Sequence, residues 1–333
     1  MKPIQEWKNI DAATFRDEIS SRNQPAVLRG LIKEWPATAA ACKSERDFCD
    51  YLLPMDRRIP AEMFFGPSSI RGLFWYGPQM RGFNFERRPE QIGNALRLLL
   101  EHSNDSEPPA IYLGSVPIGQ SMPQFAEENV VPILDQTIQP RIWIGNKVTV
   151  QTHFDHSENL ACVVAGKRRF TLFPPEQLKN LYVGPLDFTM AGQPTSMVPL
   201  QNPDLEKYPN FKIALEAACS AELYPGDAIY IPYMWWHHVE SLTPFNVLVN
   251  YWWDPAHPAA GAAFEALVHA IMSVKHLPPD KRMVWKGFFD HFVFEANGDP
   301  ASHLALHEKG ILHSMSPQLA VHIKNWLLRG LSR

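Results

Sequence analysis

His153, Phe154 and Asp155 put an imidazole and a carboxylate two residues apart. On a strand, residues so spaced share a face, so both side chains can reach one metal ion. Such a pair recurs by accident, and the competing account is a polar pair at a strand end with His153 bonded to backbone. A distant companion adds weight. The segment Pro225-Gly-Asp-Ala-Ile-Tyr-Ile-Pro-Tyr-Met-Trp-Trp-His-His-Val239 sets His237 and His238 just after a strand ending in Ile231-Pro232. One of these histidines would complete a set of two imidazoles and a carboxylate on one side of a metal. The open positions opposite are what iron-dependent oxygen activation needs. Adjacent strand residues face opposite ways, so only one of the two histidines can serve.

The elements that must position these residues are short. Thirty prolines and 18 glycines spread along the chain imply many turns, favouring a β-rich core over a helical bundle. Arg141-Ile-Trp-Ile144, then Gly145-Asn146, then Lys147 to His153, predicts a tight hairpin. Leu160 to Phe173 reads as strands interrupted at Gly166-Lys167. Pro225-Gly226-Asp227 is a turn before the strand Ala228 to Ile231, and Phe245 to Trp253 closes the series. Earlier, Pro25 to Gly30 reads as a strand, Ser44 as the cap of a helix carrying Asp47, and residues 89–102 as an amphipathic helix begun by proline. Beyond Pro255 the apolar spacing turns helical, over Gly261–Lys275 and Pro317–Leu331. The expected organisation is a mixed α/β segment over 1–109 packing on the core, a β core over 110–254 and a helical region over 255–333.

The 333 residues suffice for one large catalytic domain with an appendage. Hydrophobic residues at 45% and aromatics at 11% allow a sizeable core and argue against global disorder. A formal charge of −4 and a pI near 6.4 give no overall basic footprint for nucleic acid, which leaves RNA dependent on a local patch. Four scattered cysteines without a CxxC pair point to buried thiols in a reducing compartment. The first 15 residues lack a signal-peptide core, and no uncharged apolar stretch is long enough to cross a bilayer. A cytoplasmic protein with no membrane partner is expected.

The His-Phe-Asp triplet, Gly166-Lys-Arg-Arg-Phe-Thr-Leu-Phe-Pro-Pro175, Asn202-Pro-Asp204 with Tyr208-Pro-Asn-Phe211, and Gly226 to Pro232 with Trp235 to Leu242 occur in an order that resembles the cupin-like branch of the JmjC oxygenases, in particular its asparaginyl hydroxylases. Pro25 to Pro36 resembles that family's entry segment. The resemblance implies a mainly β protein with helices, built on a double-stranded β-helix (jelly-roll) core. It implies Fe(II) held by His153, Asp155 and His237, with 2-oxoglutarate as cosubstrate and O2 as oxidant. Oxidative decarboxylation of the keto acid would be coupled to hydroxylation of a substrate C–H bond.

The family's cosubstrate lysine corresponds to Arg168, with Lys167 one residue earlier; alternation lets one of the two face the barrel, and Arg168 is preferred. Tyr112, Asn159, Asn250 and Trp252 match family positions near the iron or the cosubstrate. The family threonine before the first histidine falls on Val150, with Thr149 and Thr152 beside it. Trp143, Trp235, Trp236, Trp252, Trp253 and Phe154 read either as an aromatic cavity wall or as barrel filling. Arginines interleaved with aromatics over 55–90 read as a loop layer over the barrel, or as a surface for RNA or an acidic peptide. The primary substrate is left open between a protein side chain, a small molecule and RNA. A non-oxygenase cupin metalloenzyme and a metal-free binding module are the rival classes. The resemblance also implies a homodimer through the C-terminal helices.

Overall fold

The computed structural model describes residues 1–254, 256 and 259–332. Its residues form two compact units, Met1–Asp254 and Pro255–Arg333. Pro255, where the helical pattern begins, lies outside the described residues.

The first unit holds fourteen strands: β1 (Lys2–Pro3), β2 (Gln5–Lys8), β3 (Ala26–Arg29), β4 (Ala61–Gly66), β5 (Glu86–Glu90), β6 (Ala110–Pro117), β7 (Pro140–Gly145), β8 (Thr149–His153), β9 (Glu158–Ala165), β10 (Arg168–Phe173), β11 (Cys219–Leu223), β12 (Ala228–Ile231), β13 (Trp236–Ser241) and β14 (Asn246–Trp253). They make a five-stranded sheet, β1-β11-β10-β13-β8, and a nine-stranded sheet, β2-β3-β12-β9-β14-β7-β6-β4-β5. From β7 to β14 the chain passes between the sheets at every step but β10 to β11, giving β8-β13-β10-β11 in one and β7-β14-β9-β12 in the other. That winding is a double-stranded β-helix. Strands β2 to β5, from residues before 110, extend the larger sheet at both edges, β4 and β5 through β6.

Period-2 alternation explains why uninterrupted apolar runs form these strands. On β9, Ala161 and Val163 pack in the layer between the sheets with Phe170, Leu172, Ile229 and Leu248. The intervening Leu160, Cys162 and Val164 join the outer core beneath the helices, with Phe48, Leu52, Leu96 and Leu99. Helix Glu45–Leu52 begins as expected, with Ser44 Oγ accepting from Asp47 N at 3.0 Å.

Two expected elements differ. The hairpin across Gly145-Asn146 does not form: β7 pairs with β6 and β14, whereas β8 pairs with β13 in the other sheet. Asn146 is spent on β6 instead, its side chain accepting from Ile111 N at 3.0 Å and donating to Pro109 O at 2.7 Å. Pro89 does not start a helix either. It ends up in β5, where it needs no ladder donor, and the helix runs Ile92–Glu101.

The second unit contains helices Ala263–Ser273, Pro279–Phe292 and Pro317–Leu331. Leu267, Met272, Trp285, Phe288, Trp326 and Leu328 are exposed on them. No helix among the described residues is long and apolar enough to cross a membrane.

Candidate active site

His153 ends β8 and His237 is the second residue of β13, and the two are direct cross-strand partners. Their rings lie 4.2 Å apart. Asp155, two residues past the strand end, brings Oδ2 to 3.5 Å from His237 Nε2. One ligand atom from each of His153, Asp155 and His237 falls within 4.8 Å of the others. Each imidazole is tethered to its own chain two residues back: His153 Nδ1 to Gln151 O at 2.8 Å, His237 Nδ1 to Trp235 O at 3.1 Å. A carbonyl only accepts, so both Nδ1 atoms carry the proton and both Nε2 lone pairs are free for a metal. Burial, and then the neighbouring His153, hold His237 well below the usual histidine range. It is neutral at physiological pH, as a ligand must be.

Three donors of two imidazoles and one carboxylate fit Fe(II). A chain of amides supports the carboxylate: Asn159 Nδ2 donates to Asp155 Oδ2 at 3.2 Å, and Asn250 Nδ2 to Asn159 Oδ1 at 3.4 Å.

These groups line a cavity of about 510 Å³ together with Arg168, Tyr112, Trp143 and Trp252. Arg168 is delivered by the β9–β10 turn. Gly166 adopts φ +78° there, and a Cβ would lie 2.3 Å from Phe245 O and 2.4 Å from Asn246 Oδ1. The side chain of Arg168 is 1% exposed, and its Nε and Nη2 have no hydrogen-bond partner. Tyr112 lies beside it and is itself pushed up to about 12 by burial. A fully buried guanidinium with two idle donors is expensive unless an anion joins it. The dicarboxylate 2-oxoglutarate fits that vacancy in the bonding pattern.

Lys167, on the opposite parity, does not line the cavity. Its ammonium pairs with Glu222 at 2.5 Å and lies over the Tyr224 ring. Thr152 also lies elsewhere: it is fully buried and its hydroxyl is 3.3 Å from Nδ1 of His238. His238 turns away from the triad, bonds Gln201 through Nε2 at 3.1 Å, and is pushed down to about 3 by burial. Val150 and Thr149 both reach the cavity.

Of the six aromatics weighed as a wall, Trp143 and Trp252 line the cavity. Trp236 packs on Phe154 at 4.6 Å, Trp253 stacks on Tyr230 at 6.3 Å, and Trp235 donates to Asn23 O at 3.2 Å. The sequence reading missed the contributors from elsewhere, namely Glu62, Phe64, Met190 and Gln193, and gave Arg87 no place in the cavity. Phe64 and Arg87 did carry a signal, as members of the arginine–aromatic stretch. Arg87 lies over Phe64 at 5.2 Å and Phe83 at 5.1 Å, 3.8 Å from Glu62, and also donates to Met190 O. The stretch is a packed aromatic layer against the cavity: Phe64, Phe74, Tyr76 and Phe85 are buried in it.

Comparison with known proteins matches residues 12–258 to the cupin-like domain family. The chain is 27% identical over 252 residues to JmjC domain-containing protein D of Dictyostelium discoideum, covering 69% of this chain and 51% of that protein. It is 33% identical over 279 residues to the lysine-specific demethylase JMJ31 of Arabidopsis thaliana, covering 75% and 50%. With tRNA wybutosine-synthesizing protein 5 of Danio rerio it shares 30% identity over 313 residues, covering 83% and 87%. The chain spans about half the length of the first two relatives. The match across three quarters of its length, the JmjC relatives and the two-sheet winding agree: this chain belongs to the JmjC-type, cupin-like domain family.

Proposed function

We propose that the chain is an Fe(II)- and 2-oxoglutarate-dependent hydroxylase acting on a protein side chain or a small molecule. The observation that carries this reading is Arg168: a buried cation with two idle donors opens onto the cavity that holds the His153–Asp155–His237 cluster. A non-oxygenase cupin has no use for such a cation, and a metal-free binding module has no use for three converging ligands.

Bound iron and 2-oxoglutarate would supply the oxidising chemistry, with O2 consumed, succinate and CO2 released and one oxygen atom placed on a substrate C–H bond. The chain's own residues have distinct tasks. His153, Asp155 and His237 hold the metal from one side. Arg168 forks onto the distal carboxylate of the cosubstrate, and the Tyr112 hydroxyl donates to it. Phe64, Phe74, Trp143 and Trp252 keep water from the reacting centre. A cavity of about 510 Å³ leaves room for a substrate side chain beside a five-carbon diacid. The exposed Glu62 and Arg87 stand at its rim.

We assign catalysis to the unit ending at Asp254, with 1–109 and 110–254 as its packing segment and core. The helices of 255–333 are assigned to homodimerisation through their exposed apolar side chains, Trp326 and Leu328 among them. The test is anaerobic titration of metal-free protein with Fe(II) and 2-oxoglutarate, watching the visible charge-transfer band of a keto acid chelated to ferrous iron. A band lost in both His153→Ala and Arg168→Ala is expected, and no band in the intact protein sinks the proposal. Succinate release with peptides, small metabolites or tRNA then sorts the substrate classes, tRNA being named for the zebrafish relative.

A further inference from the structure

Trp143 lies between the two halves of the site. Its ring stacks on Tyr112, with centroids 5.8 Å apart at 27°. Its indole N–H donates to Asn250 Oδ1 at 2.5 Å. From there the bonds run Asn250 Nδ2 to Asn159 Oδ1 at 3.4 Å and Asn159 Nδ2 to Asp155 Oδ2 at 3.2 Å. An indole is donor-only and a carboxylate acceptor-only, so the two ends impose the same polarity on both amides between them. Reversing either amide would set two donors or two acceptors face to face. Asn159 and Asn250 are each 3% exposed, so such a mismatch would be costly. Gly114 leaves room for Trp143, since a Cβ there would lie 3.1 Å from the indole ring, tighter than an ordinary contact.

We infer that Trp143 is a positioning residue for the metal centre: its N–H heads a three-bond chain that fixes the Asp155 carboxylate while its ring braces Tyr112. This inference rests on the proposed metal role of Asp155. Groups that orient a metal ligand in this way typically contribute ten- to a hundred-fold to metal affinity. The chain also makes the contribution conditional: without the Asn250 amide, the indole N–H has no route to Asp155.

The experiment is a double-mutant cycle read by Mn(II) affinity, measured by electron paramagnetic resonance without turnover. Trp143→Phe keeps an aromatic ring and removes the N–H, and should weaken Mn(II) by about ten-fold. In an Asn250→Ala background the same change should have almost no further effect. A benzothienylalanine at 143, with sulfur in place of the N–H and nearly the same outline, should match Trp143→Phe and stands in for it if that variant misfolds. If wild-type protein binds no Mn(II), the metal reading falls and takes this inference with it. If wild type binds and Trp143→Phe binds equally, or if the penalty persists in full without Asn250, only the inference falls.

Discussion

Arg168 is costly to the folded protein in the absence of an anion, so replacing it with methionine should make the chain more stable and less able to bind. Methionine is unbranched and adapts to the vacated volume. The guanidinium is 1% exposed with Nε and Nη2 unpaired. Each unsatisfied buried donor costs about 1–3 kcal/mol, so the pair costs roughly 2–6 kcal/mol. Against that stands the lost interaction with the neighbouring Tyr112, worth about 1–2 kcal/mol. The net is a gain of about 0–5 kcal/mol, and each kcal/mol moves the melting midpoint by about 2–4 °C in a domain of this size. Addition of 2-oxoglutarate at a hundred times its Kd should add about 2.7 kcal/mol to the wild type and nothing to Arg168→Met. Differential scanning fluorimetry of Mn(II)-loaded protein, with and without 2-oxoglutarate, measures both effects. The reasoning is refuted if the ligand-free variant melts below the wild type, or if it still shifts with 2-oxoglutarate.

Other changes separate the remaining roles. Asp155→Ala should abolish stoichiometric Fe(II) binding in equilibrium dialysis, with the fold retained by circular dichroism. Lys167→Gln, whose cation is bound to Glu222 on the outer face, should leave 2-oxoglutarate affinity within about two-fold of wild type in calorimetry, as expected for a partly exposed pair worth about 0–1 kcal/mol. Gly166→Ala, at φ +78° and against Phe245 O, should lower stability by at least about 1 kcal/mol in urea unfolding and loosen the turn that delivers Arg168. Trp326→Glu, on an exposed position of the last helix, should convert a dimer to a monomer in sedimentation velocity. A monomeric wild type would refute the assignment of those helices.

What was legible in the sequence was what depends on short-range geometry. His153 and Asp155 are two residues apart, Arg168 follows a positive-φ glycine by two, and strand parity alone turns Arg168 inward and Lys167 outward. The amphipathic helices and the Ser44 cap were readable for the same reason. Pairing was not. Gly145-Asn146 looks like hairpin chemistry, but Asn146 satisfies β6 rather than a turn, and the flanking strands part to different sheets. Which tryptophans form wall and which form filling could not be sorted from composition, which carries no parity. Trp252 and Trp253 are neighbours on β14, yet one lines the cavity and the other stacks on Tyr230. That Phe64, Arg87 and Met190 meet at the cavity depends on the pairing of β4 with β6 and β5 and on the contact of Arg87 with Met190, which the arginine–aromatic pattern does not announce.

The tethers of His153 and His237 to carbonyls two residues back have a consequence for how such a barrel diversifies. The orientation of each imidazole is inherited from its own stretch of chain, through main-chain carbonyls rather than through side chains of the cavity wall. Residues such as Phe64, Met190 and Gln193 can therefore be exchanged without unseating these two ligands. Substrate choice and metal geometry become separable inventions, one written in the entrance segments and the other in two strands of backbone.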